Sequence, residues 1–135
     1  MTLSKYEYYR RLEMYYGKEL ILDLHNCDPS GFNREDIEEY FVELCIRIDM
    51  KRCEMHFWDD LETPEEEKQT SPHTKGTSAV QFILTSNITI HTLDILKKIF
   101  INVFSCKEFD VRVVEDFTVD WFGGEIVKST TIVRL

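Results

Sequence analysis

The stretch GTSAVQFILTSNITIHTLDILKKIFINVFSC, residues 76–106, decides the reading of the whole chain. Two β-rich runs meet at a break marked by Ser86, and the next run closes at Cys106. Ser78 opens the first run and His91 lies just past the break. By composition alone this is a hairpin with incidental serine, histidine and cysteine. The same residue types are also the parts of an acid–base and nucleophilic site.

Working outward, ELILDLHNCD (19–28) reads as a strand, with Leu20, Leu22 and Leu24 alternating with Glu19, Ile21 and Asp23. Asp28-Pro29-Ser30-Gly31 is a turn signal. Asn33 is placed to cap a helix whose first turn carries Glu35 and Asp36. Ile37, Tyr40, Phe41, Leu44 and Ile48 then form one apolar stripe, and Glu38, Glu39 and Glu43 a solvated face. KRCEMHFWDD (51–60) is a second strand with His56 and Trp58 on one face. The polar segment 59–76, with two prolines and six acids, is a long loop, either a mobile surface or a charged rim that attracts cations. SKYEYYRRLEMYY (4–16) reads as a tyrosine-rich helix or arm, DVRVVEDFTVDWFGG (110–124) as helix or strand, and EIVKSTTIVRL (125–135) as a closing strand.

Length and composition bound the possibilities. At 135 residues and 43% apolar content the chain makes one folded domain. A net charge of −9 argues against a nucleic-acid partner and suits a cationic substrate or product. No apolar run reaches the ~20 residues of a membrane helix, and the start MTLSKYEYYRR is too polar for a signal peptide, so a cytoplasmic protein is expected. Cys27, Cys45, Cys53 and Cys106 lack C-x-x-C spacing, and His25, His56, His73 and His91 lack ligand spacing, so no metal site is expected. Three of the thiols are read as packing residues, Cys27 among them.

The order and spacing of Ser78, Ser86, T-I-H-T at 89–92 and V-F-S-C at 103–106 resemble the S-adenosylmethionine (AdoMet) decarboxylase proenzyme family in its short prokaryotic form. The similarity runs from about Gly17 to the C-terminus, leaving 1–16 as an N-terminal extension and 59–76 as an insertion in domain 17–135. It favours helix over strand at 110–124. The implied order is β-α-β-β-β-β-α-β, an α+β two-layer sandwich of a mostly antiparallel sheet with helices packed on one face.

The resemblance implies autocatalytic cleavage of a zymogen between Thr85 and Ser86. Ser86 becomes a covalently bound pyruvoyl group that forms a Schiff base with the substrate amine, and CO2 leaves. It assigns His91 as processing base, Ser78 as a hydrogen-bond donor during processing, and Cys106, a thiol of ordinary pKa ~8.5, as the proton donor. Trp58 stands where an aromatic holds the adenine of AdoMet. Ser78 and Ser86 are roughly 26 Å apart on a continuous strand, and His91 about 16 Å beyond Ser86. Either the chain doubles back sharply at 85–87, or Ser78 and His91 of one subunit serve Ser86 and Cys106 of another, as the family's homodimer implies.

Two departures from the family pattern are plain. Thr85-Ser86-Asn87 replaces E-S-H, and T-L-D-I at 92–95 replaces T-W-P-E, so Leu93 and Ile95 lose the aromatic and acidic contacts while Asp94 partly substitutes. The expected activity is AdoMet decarboxylation for spermidine synthesis. A pyruvoyl-dependent decarboxylase of ornithine or arginine, or an uncleaved homologue acting as a binding or regulatory subunit, are the alternatives.

Overall fold

The computed structural model describes residues 4–11 and 14–135. Helices α1 (Lys5–Arg11), α2 (Arg34–Arg47) and α3 (Val111–Phe122) accompany six strands. The strands are β1 (Gly17–His25), β2 (Arg52–Trp58), β3 (Ser78–Ile83), β4 (Ser86–Leu93), β5 (Lys98–Ser105) and β6 (Glu125–Arg134). They form one sheet in the order β2-β3-β4-β5-β1-β6, with every neighbouring pair antiparallel. From β1 onward the element order is the expected one, and the fold is the expected α+β sandwich.

Period-two alternation fixes which face is covered. Leu20, Leu22 and Leu24 of β1, Ile88 and Ile90 of β4, and Ile99, Ile101 and Val103 of β5 are buried against α2 and α3. Burying each such side chain contributes ~1.5–3 kcal/mol. Neither α2 nor α3 covers the opposite, bare face, which displays Ile21, Val80, Thr89, His91, Phe100, Asn102 and Phe104.

Helix α2 begins as the sequence indicates. Asn33 accepts a hydrogen bond from the Asp36 amide at 2.9 Å, and Ile37, Tyr40, Phe41 and Leu44 turn inward. Tyr40, fully buried, shares a 2.7 Å hydrogen bond with the buried Thr118 hydroxyl of α3. Helix α3 is capped by Asp110 and stops at Gly123, whose φ of 70° suits glycine. Gly76, just before β3, passes so close to β4 that a Cβ there would lie 1.6 Å from the Thr92 carbonyl oxygen.

Two boundaries and one thiol differ from the sequence reading. Strand β1 ends at His25 because Asn26 turns left-handed, at φ 56°, which excludes Asn26 and Cys27 from the ladder. Helix α1 covers only 5–11 of the tyrosine-rich arm; Tyr15 and Tyr16 lie outside it and residues 12 and 13 fall outside the described residues. Cys53 is not a packing residue: it sits exposed on edge strand β2, and Cys27 and Cys45 are the buried thiols. Burial pushes both of those up to about 11. Segment 59–76 contains one short helical turn and is clamped at its start, where Arg34 donates to both oxygens of Asp59 at 2.6 and 2.8 Å.

Candidate active site

The β3–β4 hairpin places the candidate residues in two separate pairs. Ile83 opposes Ser86, so the connecting turn is the dipeptide Leu84-Thr85. Thr85 takes a left-handed φ of 67°, a conformation that a β-branched residue rarely adopts and that costs ~1–2 kcal/mol. Asn87 opposes Phe104, and this register brings the end of β5 beside the turn.

The first pair lies there. Ser86 is 7% exposed and donates a 2.7 Å hydrogen bond to the Thr85 carbonyl oxygen, the group its hydroxyl would have to attack. The Cys106 amide donates to Ser86 Oγ at 3.3 Å, and Cys106 Sγ lies 3.3 Å from Thr85 Oγ1. The Thr85 hydroxyl holds the Cys106 thiol below its ordinary range, helped by hydrogen bonds from Tyr16 and Ser86, while its slight burial opposes them.

The second pair lies at the far end of the hairpin. Ser78 sits directly opposite His91, and Ser78 Oγ is 2.6 Å from His91 Nδ1. The His91 ring stacks on Phe100 with centroids 6.4 Å apart. Around them the bare face of the sheet forms a cavity of 580 Å3 lined by His56, Trp58, Ser78, Val80, His91 and Phe100. Trp58 is 51% exposed, its ring available at the rim, and His56 shares its face as alternation requires.

Within one chain the pairs do not meet. The chain does double back, at 84–85, yet this sets Ser78 against His91 and leaves Ser86 five residues away, roughly 16 Å along β4. Ser86 also points to the helix side with Ile88 and Ile90, whereas His91 points to the bare side with Asn87 and Thr89. Asp94 lines a different cavity, 340 Å3 in volume, between the 59–76 loop and the start of α2, shared with Arg34, Lys68 and Lys75. Its Oδ1 is buried with no hydrogen-bond partner among the described residues, and burial raises its carboxyl, opposed by Lys75. Leu93 is buried and Ile95 half exposed.

Sequence reasoning overlooked Phe100 and Asn102 on the bare face, and Tyr16 near Cys106. Alternation along KIFINVF carried a signal for the first two: they oppose the phase of Ile99 and Ile101. Among the described residues no group of three or more His, Cys, Asp or Glu side chains could hold a metal ion. No described helix is long and apolar enough to cross a membrane.

This sandwich is similar in fold to that of the adenosylmethionine decarboxylase from Aquifex aeolicus, a solved structure aligned with a TM-score of 0.64 over 89% of each chain at 17% identity. A sequence model of S-adenosylmethionine decarboxylase matches residues 18–135. Two relatives, each named S-adenosylmethionine decarboxylase proenzyme, are from a Geobacillus species, 26% identical, and from Geobacillus kaustophilus, 25% identical. Both alignments cover 87% of this chain and 86% of the relative. The chain belongs to the S-adenosylmethionine decarboxylase family.

Proposed function

We propose that the chain is a proenzyme that cuts itself between Thr85 and Ser86 and then decarboxylates AdoMet, supplying aminopropyl groups for spermidine synthesis. One observation carries the reading: Ser86 is hydrogen-bonded to the carbonyl it must attack, with Cys106 at its side. Attack by Ser86 Oγ on the Thr85 carbonyl carbon converts the amide to an ester, with the proton passing to the nitrogen. Loss of the Ser86 Cα proton expels the Thr85 carboxylate and leaves dehydroalanine, whose enamine water converts to a pyruvoyl group and ammonia. That group supplies an electrophilic carbonyl able to take up the electron pair left when CO2 departs.

The residues divide the remaining work. His91, oriented through Nδ1 by Ser78 and through its ring by Phe100, is the processing base; the Ser78 hydroxyl stabilises the developing oxyanion. Cys106 returns a proton to the substrate carbon. The distance between the pairs favours a homodimer in which Ser78 and His91 of one chain complete the Ser86 site of the other. Trp58 offers a ring for adenine, and the partnerless Oδ1 of Asp94 an acceptor for a hydroxyl or ammonium donor. The acidic chain fits a cytoplasmic protein acting on a cationic small molecule.

A second reading draws on Leu93 and Ile95. At these positions the chain presents a buried and a half-exposed aliphatic residue, neither able to stack adenine or bind ribose hydroxyls. That loss matters little for a substrate without those groups, such as ornithine or arginine, or for a chain with no substrate at all. Intact-mass measurement separates these readings from the start. Two fragments, 1–85 and a pyruvoyl-blocked 86–135, establish processing, and CO2 release then selects the substrate. A single species at 16.1 kDa removes the enzyme reading in favour of a binding or regulatory subunit.

A further inference from the structure

Thr85 does more in this structure than precede the serine. Its left-handed backbone carries its side chain across to the end of β5, where Oγ1 has two neighbours: the Leu84 carbonyl oxygen at 2.6 Å and Cys106 Sγ at 3.3 Å. A threonine hydroxyl has one hydrogen and two lone pairs. While Cys106 is a neutral thiol, the hydroxyl gives its hydrogen to Leu84 and accepts the thiol's. Once the sulfur is an anion it is the stronger acceptor, and the hydroxyl donates to it. The sulfur therefore stays tied to Thr85 in either state. A glutamate at 85 would act oppositely, because an ionised carboxylate only accepts hydrogen bonds and sets a negative charge beside the sulfur.

We propose that the Thr85 hydroxyl is the positioning residue for Cys106 in the uncut chain, and that breaking the Thr85–Ser86 bond removes or counteracts its hold. The second half rests on the self-processing reading above; the first does not. Cutting ends in a free carboxylate on Thr85 and consumes the Ser86 hydroxyl. If the new terminus leaves, Cys106 loses its donor; if it stays, Cys106 gains an anionic neighbour. Both move the sulfur toward the neutral thiol, the form a proton donor requires. The other groups facing Cys106 are Tyr15 and Tyr16, from the segment before β1, and its chain neighbour Lys107, whose ammonium is engaged by Asp49 at 2.9 Å. Arg10 acts on Tyr15. The cut leaves the covalent structure of all of them unchanged.

The test is peptide-resolved alkylation of Cys106 by iodoacetamide as a function of pH. It uses uncut Ser86→Ala protein carrying Cys53→Ser to remove the other exposed thiol. Thr85→Val should raise the midpoint and slow the reaction at pH 7 by roughly threefold or more, and Thr85→Ser should restore it. Buried Cys27 and Cys45 must stay unreacted, which excludes simple unfolding as the cause. An unmoved midpoint in Thr85→Val, or no rescue by Thr85→Ser, overturns the proposal whatever the intact mass shows. Processed protein with Ser86 native should show a Cys106 midpoint above that of the uncut chain, and a lower one overturns the release step. Absence of cutting in that sample refutes the self-processing reading and with it the release step, leaving the Thr85 hold to stand or fall on the Thr85→Val result.

Discussion

The separation of Ser86 from His91 makes a prediction that can be worked through in detail. A general base acts at about 2.6–3.2 Å from the proton it removes. Along β4 the two residues are five positions apart, roughly 16 Å, and they point to opposite faces of the sheet. No rotamer of histidine bridges that distance, so His91 cannot process the serine of its own chain in this fold. If a second chain supplies the base, the two halves of the site can be divided between variants. His91→Ala alone should cleave about 10²–10⁴-fold more slowly, the typical contribution of a positioned acid–base group. Ser86→Ala cannot cleave at all, yet it keeps an intact Ser78–His91 pair. Coexpressed in equal amounts, the chains pair at random, and about half of the His91→Ala chains meet a Ser86→Ala partner that supplies the base. Distinguishable tags and intact-mass analysis should then show about half of the His91→Ala chains cut at residue 85 and none of the Ser86→Ala chains. Efficient cleavage of His91→Ala alone would dismiss His91 as the base. No cleavage in the mixture, with the native protein cutting normally and the variants shown to associate, would refute the shared site, as would a processed native protein that is monomeric by light scattering.

Further predictions concern separate parts of the molecule. Cys106→Ala should leave cutting at 85–86 intact while lowering CO2 release from AdoMet about 10²–10⁴-fold, measured by mass and by trapped CO2 on one preparation. Tyr40→Phe leaves the buried Thr118 hydroxyl unpaired, and denaturant unfolding should show a loss of ~1–3 kcal/mol. Gly76→Ala sets a Cβ against the Thr92 carbonyl oxygen, a backbone atom that cannot swing aside, so a lower Tm is expected by thermal melting. Arg34 holds Asp59 below the ordinary carboxylate range, so the clamp on the 59–76 loop is complete above about pH 4 and weakens as pH falls through the depressed value. Pepsin nicking of that loop should accelerate across that fall, whereas Arg34→Ala should be nicked readily at the higher pH as well.

Much of the fold was legible in the sequence because its signals are local. The alternation of Leu20, Leu22 and Leu24, the stripe from Ile37 to Ile48 and the Asn33 cap each depend on residues within a few positions of one another. The same holds for the order and spacing of Ser78, Ser86, His91 and Cys106, on which the likeness to the decarboxylase proenzymes rested. At 110–124 the local signal was ambiguous, and packing of Val114, Phe117 and Phe122 against the sheet and α2 accompanies the helical outcome.

What the sequence could not determine depended on pairing between distant segments. Cys53 lies on an exposed edge because, among the described residues, β2 pairs only with β3, a consequence of sheet order and not of its own neighbours. Asp94 lines the cavity under the 59–76 loop, apart from Trp58, because the chain leaves β4 toward Lys75, whose carbonyl oxygen accepts from the Asp94 amide at 3.0 Å. The antiparallel register of β3, β4 and β5 sets Ser78 on His91 and Cys106 beside Ser86, and strand parity puts Ser86 and His91 on opposite faces. The sequence by itself thus determined the elements and the identity of the reactive side chains, because both are written in short-range spacing. Which of those side chains meet was decided by the tertiary structure, because register and facing come only from strands paired across the sheet.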